Sequence, residues 1–310
     1  MSIVRSDIAA APVHAAAERP EPRFHFRDYA VLLKPRVMSL VVFTALVGML
    51  LAPVTIDPFV GLTAIACIAL GAGASGAINM WYDRDIDSVM QRTMNRPLPA
   101  GRLRPGTALL LGVALACASV GAMAMFVNLA AAALLAFTIA YYVFVYTVWL
   151  KRRTPQNIVI GGVSGALPPM IGWAATTGDV GWGALALFAI IFLWTPPHSW
   201  ALALFRKGDY DRAGVPMMPI VAGERSTRAQ MLAYTCTLVP ATFLPIAIGT
   251  SGWPYGLAAA VLGVGMLRRA LCVYRDDGVH SARRLFFFSI LYLFLIFAAL
   301  LFDRTLSVLV

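Results

Sequence analysis

Three polar side chains recur at a fixed interval at the end of an otherwise apolar stretch. Asn79, Asp83 and Asp87 are each four residues apart in the run NMWYDRDID. At about 100° per residue they share one face of a helix, whereas Asp85 lies away from it. Carboxylates at the end of an apolar helix are costly unless they are paired, hydrated or bound to a cation. Oxygen ligands without a neighbouring His or Cys suit a hard cation such as Mg²⁺, which often joins a protein carboxylate to a substrate phosphate.

Two connections that follow apolar segments mix acids with bases. The first reads SVMQRTMNRPLPAGRLRPG and contains Arg92 and Arg96, and the second reads FRKGDYDRAGVPMMPIVAGERSTR and contains Lys207 and Asp209. A guanidinium fork matches phosphate oxygens, and a lysine ammonium acts as a mobile point charge. If the two connections meet, acids that hold a metal and bases that hold a phosphate form one site. The alternative, that such bases only anchor helix ends to lipid headgroups, stays open at this point.

Composition places these groups in a membrane protein. The 310-residue chain is 60% hydrophobic and 13% charged, against about 25% charged residues in soluble domains. We therefore predict an all-α bundle, with a disordered tail at 1–28 and one transmembrane domain at 29–305. Nine helices of about 20 residues, the length that crosses about 30 Å of hydrocarbon, are expected at 37–55, 60–82, 106–126, 129–149, 157–176, 181–203, 229–249, 253–273 and 285–302.

Basic residues are distributed unevenly between the two ends of these helices. The linkers 127–128, 177–180 and 250–252 contain no Lys or Arg, and all but Arg304 of the 25 basic residues lie on the opposite side. The positive-inside rule then predicts a cytoplasmic N-terminus and a periplasmic C-terminus. The net charge of +10 reflects topology and attraction to membrane lipid, not nucleic-acid binding. An acid-containing N-terminus without a signal-like apolar run favours the bacterial inner membrane over a mitochondrial one.

Several long motifs resemble the intramembrane UbiA-type prenyltransferases. The polar residues at 79–87, followed by RTMNRPLP at 92–99, are similar to the first aspartate-rich motif of that superfamily. The resemblance covers about residues 28–300 and is closest to the branch that farnesylates heme b. Its other supporting stretches are LLKPRV at 32–37, YTVWLKRRTPQNIVIGG at 146–162, ALPPMIGWAA at 166–175 and WTPPHSWALALFRKGDYDRAGVPMMP at 194–219.

The resemblance implies a reaction and the place where it occurs. The active site is expected at the cytoplasmic mouth of a cavity that is open to lipid. There, farnesyl diphosphate would be joined to a vinyl group of heme b to give heme O and diphosphate. Mg²⁺ on Asp83 and Asp87, oriented by Asn79, would act as Lewis acid on the leaving group. The product would serve a terminal oxidase assembly, directly or through a heme A synthase.

The resemblance also implies roles for several bases and for one more acid. Arg92, Arg96, Lys151 and Lys207 would neutralise the charge that develops on the departing diphosphate. Asp209 is expected to be a metal ligand or a lysine partner, although DYD at 209–211 lacks the second Asp-x-x-x-Asp common in the superfamily.

Two further residues are expected to contact heme. His198 follows two prolines that we expect to break the sixth helix and to expose a polar turn near the cavity. Its imidazole would ligate iron, position a propionate, act as a base, or simply pack at a helix end. Arg36, at the start of the first helix, would bind a heme propionate or a lipid headgroup.

Two other functions, aromatic prenyl transfer and secondary transport, share some of these features. An aromatic prenyltransferase of quinone pathways belongs to the same superfamily, but the 194–219 stretch and the absent second Asp-x-x-x-Asp argue against it. A secondary transporter also places acids within a helical bundle. Its charges usually lie near the bilayer midplane in two matching halves, whereas those of this chain cluster on one face.

Overall fold

The computed structural model describes residues 26–276 and 278–309. Every regular element in these ranges is helical, which confirms the all-α class. Of the expected tail, residues 1–25 lie outside the described residues, and residues 26–28 already belong to the first helix. The helices are α1 Phe26–Leu32, α2 Pro35–Leu51, α3 Pro58–Tyr82, α4 Arg84–Val89, α5 Pro105–Phe126, α6 Leu129–Ala140 with a π-helical continuation Tyr141–Leu150, α7 Asn157–Ala166, α8 Pro168–Thr177, α9 Trp182–Phe205, α10 Lys207–Arg212, α11 Met218–Val221, α12 Glu224–Ala241, α13 Leu244–Ala247, α14 Trp253–Arg275 and α15 Val279–Leu309.

The described helices form eight segments that are long and apolar enough to cross a membrane, and the bent pair α1–α2 makes nine. The chain is thus a multi-pass membrane protein, as predicted. The first span differs from the expected range 37–55, because α2 ends at Leu51 and a 51° bend separates it from α1. The bend lies where Lys34 adopts a left-handed φ of 51° before Pro35. A proline disfavours helical geometry in the residue that precedes it, so the two helices cannot merge.

Small residues bring α2 and α8 into close contact. A Cβ atom added to Gly172 would lie 2.0 Å from the carbonyl oxygen of Ala45, and one on Gly48 would lie 2.2 Å from that of Pro169. Such contacts are a usual basis of helix association in lipid, where burial of apolar surface supplies little driving force. The crossing fixes α2, and with it the position of the α1–α2 bend.

The two polar connections predicted from sequence pack against each other. Buried apolar side chains of α4, of the end of α9 and of the segment that includes α10 form one small core. Its members are Ile86, Met90, Ala203, Tyr210, Val215 and Met217. This core confirms that the loop after α3 and the loop after α9 meet at one end of the bundle.

The expected break of the sixth span at its prolines is wrong. Helix α9 runs without interruption from Trp182 to Phe205 and contains both Pro196 and Pro197. Both prolines are buried, so neighbouring helices hold the backbone in place even though two amide donors are missing. Proline is tolerated in transmembrane helices for this reason.

Candidate active site

Asn79, Asp83 and Asp87 lie one helical turn apart, from the end of α3 into α4. The backbone amide of Asp83 donates to the carbonyl of Asn79 at 2.9 Å, and that of Asp87 donates to the carbonyl of Asp83 at 2.8 Å. Helical hydrogen bonding therefore continues through the junction of α3 and α4, although Asp83 itself leaves ideal helix geometry. The exposed fractions of Asn79, Asp83 and Asp87 are 4%, 0% and 2%. Two fully buried carboxylates at the end of a membrane helix require partners.

Asn79 connects three elements through its side-chain amide. Its Oδ1 accepts from Nζ of Lys34 at 2.8 Å, and its Nδ2 donates to Asp83 Oδ2 at 2.7 Å and to Thr147 Oγ1 at 3.2 Å. Lys34 reaches this position from the α1–α2 bend, and its aliphatic stem passes Gly76, where a Cβ would lie 3.4 Å from the lysine Cδ. The predicted site omitted Lys34. The only sequence signal for it was its place in the LLKPRV motif.

Asp83 is paired with the base expected from the family motif. Lys151 donates to its Oδ2, and Arg152 lies 3.6 Å from its Oδ1. The π-helical segment sets this position, because the amide of Lys151 donates to the carbonyl of Tyr146, five residues earlier. In the same segment Thr147, which faces Asn79, donates its hydroxyl to the carbonyl of Tyr142. π-Helical turns are rare and occur frequently at functional sites.

Arg152 also holds the acid that lies off the common face. Its guanidinium makes two hydrogen bonds to Asp85, at 2.6 and 2.7 Å. These bonds lower the pKa of the Asp85 carboxyl and raise the pKa of Arg152. Asp85 is thus an exposed ion-pair partner of Arg152.

Asp87 binds Arg96, one of the two arginines predicted to contact the diphosphate. Arg96 Nη1 lies 2.6 Å from Asp87 Oδ2, and the buried Thr93 hydroxyl donates to the backbone carbonyl of Asp87 at 3.0 Å. Arg92 instead lies towards α10, close enough to the Tyr210 hydroxyl to affect its pKa. Burial raises the pKa of the Tyr210 hydroxyl, and Arg92 opposes that shift.

The connection after α9 places Asp209 in the same region. Asp209 is 4% exposed, and its Oδ1 accepts from the backbone amide of Gln91 at 3.2 Å and from Arg212. Its Oδ2 is buried and has no hydrogen-bond partner. An acid on α10 therefore contacts the loop that carries Arg92 and Arg96.

Three predicted residues are not brought into this cluster. Lys207 forms a half-exposed ion pair with Glu224 at 3.0 Å, and Arg36 is exposed on the first turn of α2. His198 lies in the interior between α9 and α15, stacked at 4.2 Å on Trp194 and at 4.6 Å on Phe286.

Ser289 lies against one nitrogen of the His198 ring. Nδ1 is 2.7 Å from Ser289 Oγ, and the same hydroxyl is 2.7 Å from the carbonyl of Phe286. When the hydroxyl donates its single proton to that carbonyl, Nδ1 is the donor to Ser289 and the lone pair is on Nε2.

The carboxylate oxygens of these acids are suitable ligands for a hard cation. Asp83 Oδ1 and Asp209 Oδ2 are buried carboxylate oxygens without a hydrogen bond, and the electrostatic cost of such oxygens is relieved by a cation. Within the described ranges, no three acidic, His or Cys side chains are close enough to chelate one ion by themselves. Mg²⁺ commonly completes its shell with water and substrate phosphate in sites of this kind.

Four bases surround the acids. Arg96 and Lys151 both lie close enough to Lys34 to act on its charge, and Arg92 and Lys151 both act on Tyr210. Two of the four bases, Arg96 and Lys151, are paired with carboxylates. The site thus combines buried acids with several mobile cations, an arrangement suited to a metal-bound polyphosphate.

Solved structures share the architecture at low sequence identity. A structure of digeranylgeranylglyceryl phosphate synthase aligns with a TM-score of 0.75 and 17% identity, covering 90% of this chain and 98% of the other. A UbiA homolog from Aeropyrum pernix K1 gives 0.69 and 20%, over 86% and 98% of the two chains. A UbiA homolog from Archaeoglobus fulgidus bound to DMAPP and Mg²⁺ gives 0.60 and 16%, over 88% and 99%.

Curated relatives are far more similar in sequence. A protein named protoheme IX farnesyltransferase from Azorhizobium caulinodans is 59% identical, over 89% of this chain and 91% of its own. One with the same name from Parvibaculum lavamentivorans is 58% identical, over 91% and 90%. Residues 41–291 also match the UbiA prenyltransferase family. The chain therefore belongs to the UbiA prenyltransferase family, in the branch of the protoheme IX farnesyltransferases.

Proposed function

We propose that this protein transfers the farnesyl group of farnesyl diphosphate to a vinyl group of heme b, with release of diphosphate. The observation that carries the proposal is the buried set Asn79, Asp83 and Asp87 with Lys34 and Lys151 against it, in a chain 59% identical to a protoheme IX farnesyltransferase. The aromatic prenyltransferases of quinone pathways are not favoured, because curated relatives at 53–59% identity share the heme-directed name.

The reaction requires heterolysis of an allylic C–O bond. The electron pair leaves with the diphosphate, and the vinyl group of heme supplies the electrons for the new C–C bond. Water then adds to the resulting cation and loses a proton, which gives the hydroxyethylfarnesyl group. Negative charge therefore develops on the diphosphate in the transition state, and groups that stabilise it there accelerate the reaction.

Basic side chains of the protein would stabilise this negative charge. Lys34, Lys151 and Arg96 already lie beside the acids, so small rotations would transfer them from carboxylate to diphosphate oxygens. Arg92, on the same loop as Arg96, lies on the α10 side near Tyr210. Lys207 would need to leave Glu224 to take part, so we assign it a secondary role.

Asp83 and Asp87 on one side and Asp209 on the other would each contribute oxygen ligands to Mg²⁺, with water and substrate phosphate as the remaining ligands and with Asn79 orienting Asp83 through their hydrogen bond. The ion, when bound, supplies Lewis-acid stabilisation of the leaving group. Support comes from the buried carboxylate oxygens without partners and from the Archaeoglobus fulgidus homolog of similar fold, which binds Mg²⁺ with DMAPP.

The proposed setting is the bacterial inner membrane, with the N-terminus and the active site on the cytoplasmic side. The basic residues, of which only Arg304 lies across the membrane, support this orientation. The product would supply a terminal oxidase assembly or a heme A synthase.

The decisive experiment is pigment analysis in a host that lacks its own heme-farnesylating enzyme. Hemes extracted from membranes would be separated and weighed for the wild-type protein, for Asp83→Ala, for Asp87→Ala and for the control Asp85→Asn. We expect farnesylated heme with the wild type and the control, and only heme b with the two alanine variants. Chelation of Mg²⁺ in isolated membranes should stop turnover, and added Mg²⁺ should restore it.

Heme b alone from the expressed wild type would contradict the proposed reaction. Near-normal product from Asp83→Ala or Asp87→Ala would contradict the metal assignment. Membrane yield and elution profile serve as the measure that each variant is inserted and folded.

A further inference from the structure

A second basic feature lies between α14 and α15, outside the candidate active site. Two adjoining grooves of about 620 and 1360 Å³ share Arg269, His280 and Arg284 in their walls. The C-terminal end of α14 is tied to α12, since the buried Arg228 donates to the carbonyls of Val273 and Asp276. Because α12 begins at the ion pair with Lys207, the grooves open on the same face of the bundle as the acids.

The arginines of this groove lack the acidic partners found elsewhere on that face. Ion pairs with carboxylates hold Arg96, Arg102, Arg152 and Arg212, but in the described part of the chain none holds an arginine of the groove. The segment 268–284 contains five arginines and only two aspartates. Those arginines are Arg268, Arg269, Arg275, Arg283 and Arg284.

One of these guanidinium groups is held in a fixed orientation. Arg269 lies 3.7 Å from the centroid of the Phe288 ring and donates to the carbonyl of Gly265 at 3.2 Å. A Cβ atom on Gly265 would lie 2.9 Å from Phe288, so glycine permits the ring to approach. A stacked guanidinium loses little further entropy on binding an anion. Arg269 is therefore prepared for a ligand, in contrast to an arginine that extends freely into water.

Below the arginines, the groove becomes apolar. Val261, Val264, Phe287 and Leu291 are between 49% and 65% exposed. Helix α15 contains 31 residues, a length of about 46 Å, whereas about 30 Å crosses the hydrocarbon core. Its first turns, which carry Arg283 and Arg284, therefore extend into the headgroup layer while the apolar surface below them meets acyl chains.

We propose that this groove is a binding site for an anionic phospholipid, whose phosphate is held between Arg269 and Arg284 and whose acyl chains lie along Val261, Val264 and Leu291. Charge complementarity selects the occupant, because basic pockets between membrane helices on this type of face suit anionic headgroups. A soluble phosphate would use the arginines but would leave the apolar half of the groove uncovered.

The test compares lipid binding by matched variants of the full-length protein in mild detergent. Phosphatidylglycerol is titrated onto the wild type, Arg269→Gln/Arg284→Gln, and the control Arg104→Gln/Arg225→Gln, and bound lipid is counted by native mass spectrometry. The control also removes two exposed positive charges from helix ends on the same face. Phosphatidylcholine and inorganic diphosphate are run in parallel.

We expect the groove variant to bind phosphatidylglycerol about tenfold or more weakly than the wild type, and the control to bind as the wild type does. Phosphatidylcholine should not be retained, and Asp83→Ala should bind lipid normally, since the site is separate from the acids. If the groove variant does not elute as a folded protein, Arg283→Gln/Arg284→Gln carries the same expectation, because both residues are exposed.

Two results would overturn the proposal. Equal losses in the groove and control variants would mean general attraction to headgroups. Displacement of the lipid by millimolar diphosphate would mean a soluble-anion site.

Discussion

At the scale of residues, the candidate site keeps its buried charges paired before substrate binds. Asp83 has Lys151 and Asp87 has Arg96, and Asn79 accepts from Lys34. An isolated carboxylate or ammonium in this environment would be expensive, whereas a pair with additional hydrogen bonds is tolerated. The same pairs hold acids for a metal and bases for a diphosphate, so ligand binding would redistribute existing partners.

Lys34 offers the sharpest test at this scale. Lys34→Met removes the ammonium near Asn79 but keeps most of the side-chain length. We expect kcat/KM for the prenyl diphosphate to fall by about 100-fold, the cost of losing one group that stabilises transition-state charge. Steady-state kinetics in membranes measures the change.

The exposed Arg104→Gln is the control for loss of one positive charge on the same face. Partial recovery in Lys34→Arg would support a role as a cation. If kcat/KM is unchanged in Lys34→Met, the ammonium does not stabilise the leaving group, and Lys34 only donates its hydrogen bond to Asn79.

His198 has a geometry that predicts a selective effect. Its Nδ1 contacts Ser289, so Nε2 is the ring nitrogen available to heme. His198→Ala should weaken use of heme more than use of prenyl diphosphate, which separate KM measurements for the two substrates would detect. Equal losses for both substrates would indicate that the imidazole only packs between Trp194 and Phe286.

At the scale of elements, irregular backbone occurs where the site needs it. The α1–α2 bend carries Lys34, and the π-helical continuation of α6 carries Thr147 and ends at Lys151. Regular helices would direct these side chains differently, because each residue advances the face by about 100°. By contrast, the prolines of α9 leave that helix continuous.

The α2–α8 crossing should be intolerant of a single methyl group. In Gly172→Ala the new Cβ would lie 2.0 Å from the Ala45 carbonyl oxygen, so the backbones must separate. We expect a loss of about 1–3 kcal/mol, typical of overpacking, seen as a lower thermal midpoint in detergent.

Gly121→Ala is the matched control, since a Cβ at that helical position meets nothing within 4 Å. It should be neutral or slightly stabilising. Equal midpoints for the two variants would contradict the close crossing.

At the scale of the whole molecule, the proposed orientation can be checked with reporters. Green fluorescent protein fused to the N-terminus should fluoresce, and alkaline phosphatase fused to the C-terminus should be active, if the chain is N-in and C-out. The opposite pattern would place the acids and the basic groove on the periplasmic side. It would also contradict the distribution of the 25 basic residues.

Local features of the chain were enough to predict the class, the approximate spans and the acidic half of the candidate site. The length of an apolar run predicts a membrane-spanning helix. The four-residue spacing of Asn79, Asp83 and Asp87 places them on one face of a helix. Both are local properties of the sequence. The motif that contains Arg96 and the one that contains Lys151 likewise led to residues that contact the acids.

Which distant residues complete the candidate site depends on contacts that form only when the chain folds. Lys34 precedes Asn79 by 45 positions, and its contribution depends on a left-handed residue, a glycine on α3 and the crossing of α2 with α8. Lys207 matched the motif as well as Lys151 did, yet Glu224 holds it outside the cluster. The continuity of α9 through two prolines also depends on its neighbours. These outcomes follow from packing between segments that are far apart in the chain. The spacing of residues within one segment does not predict such packing.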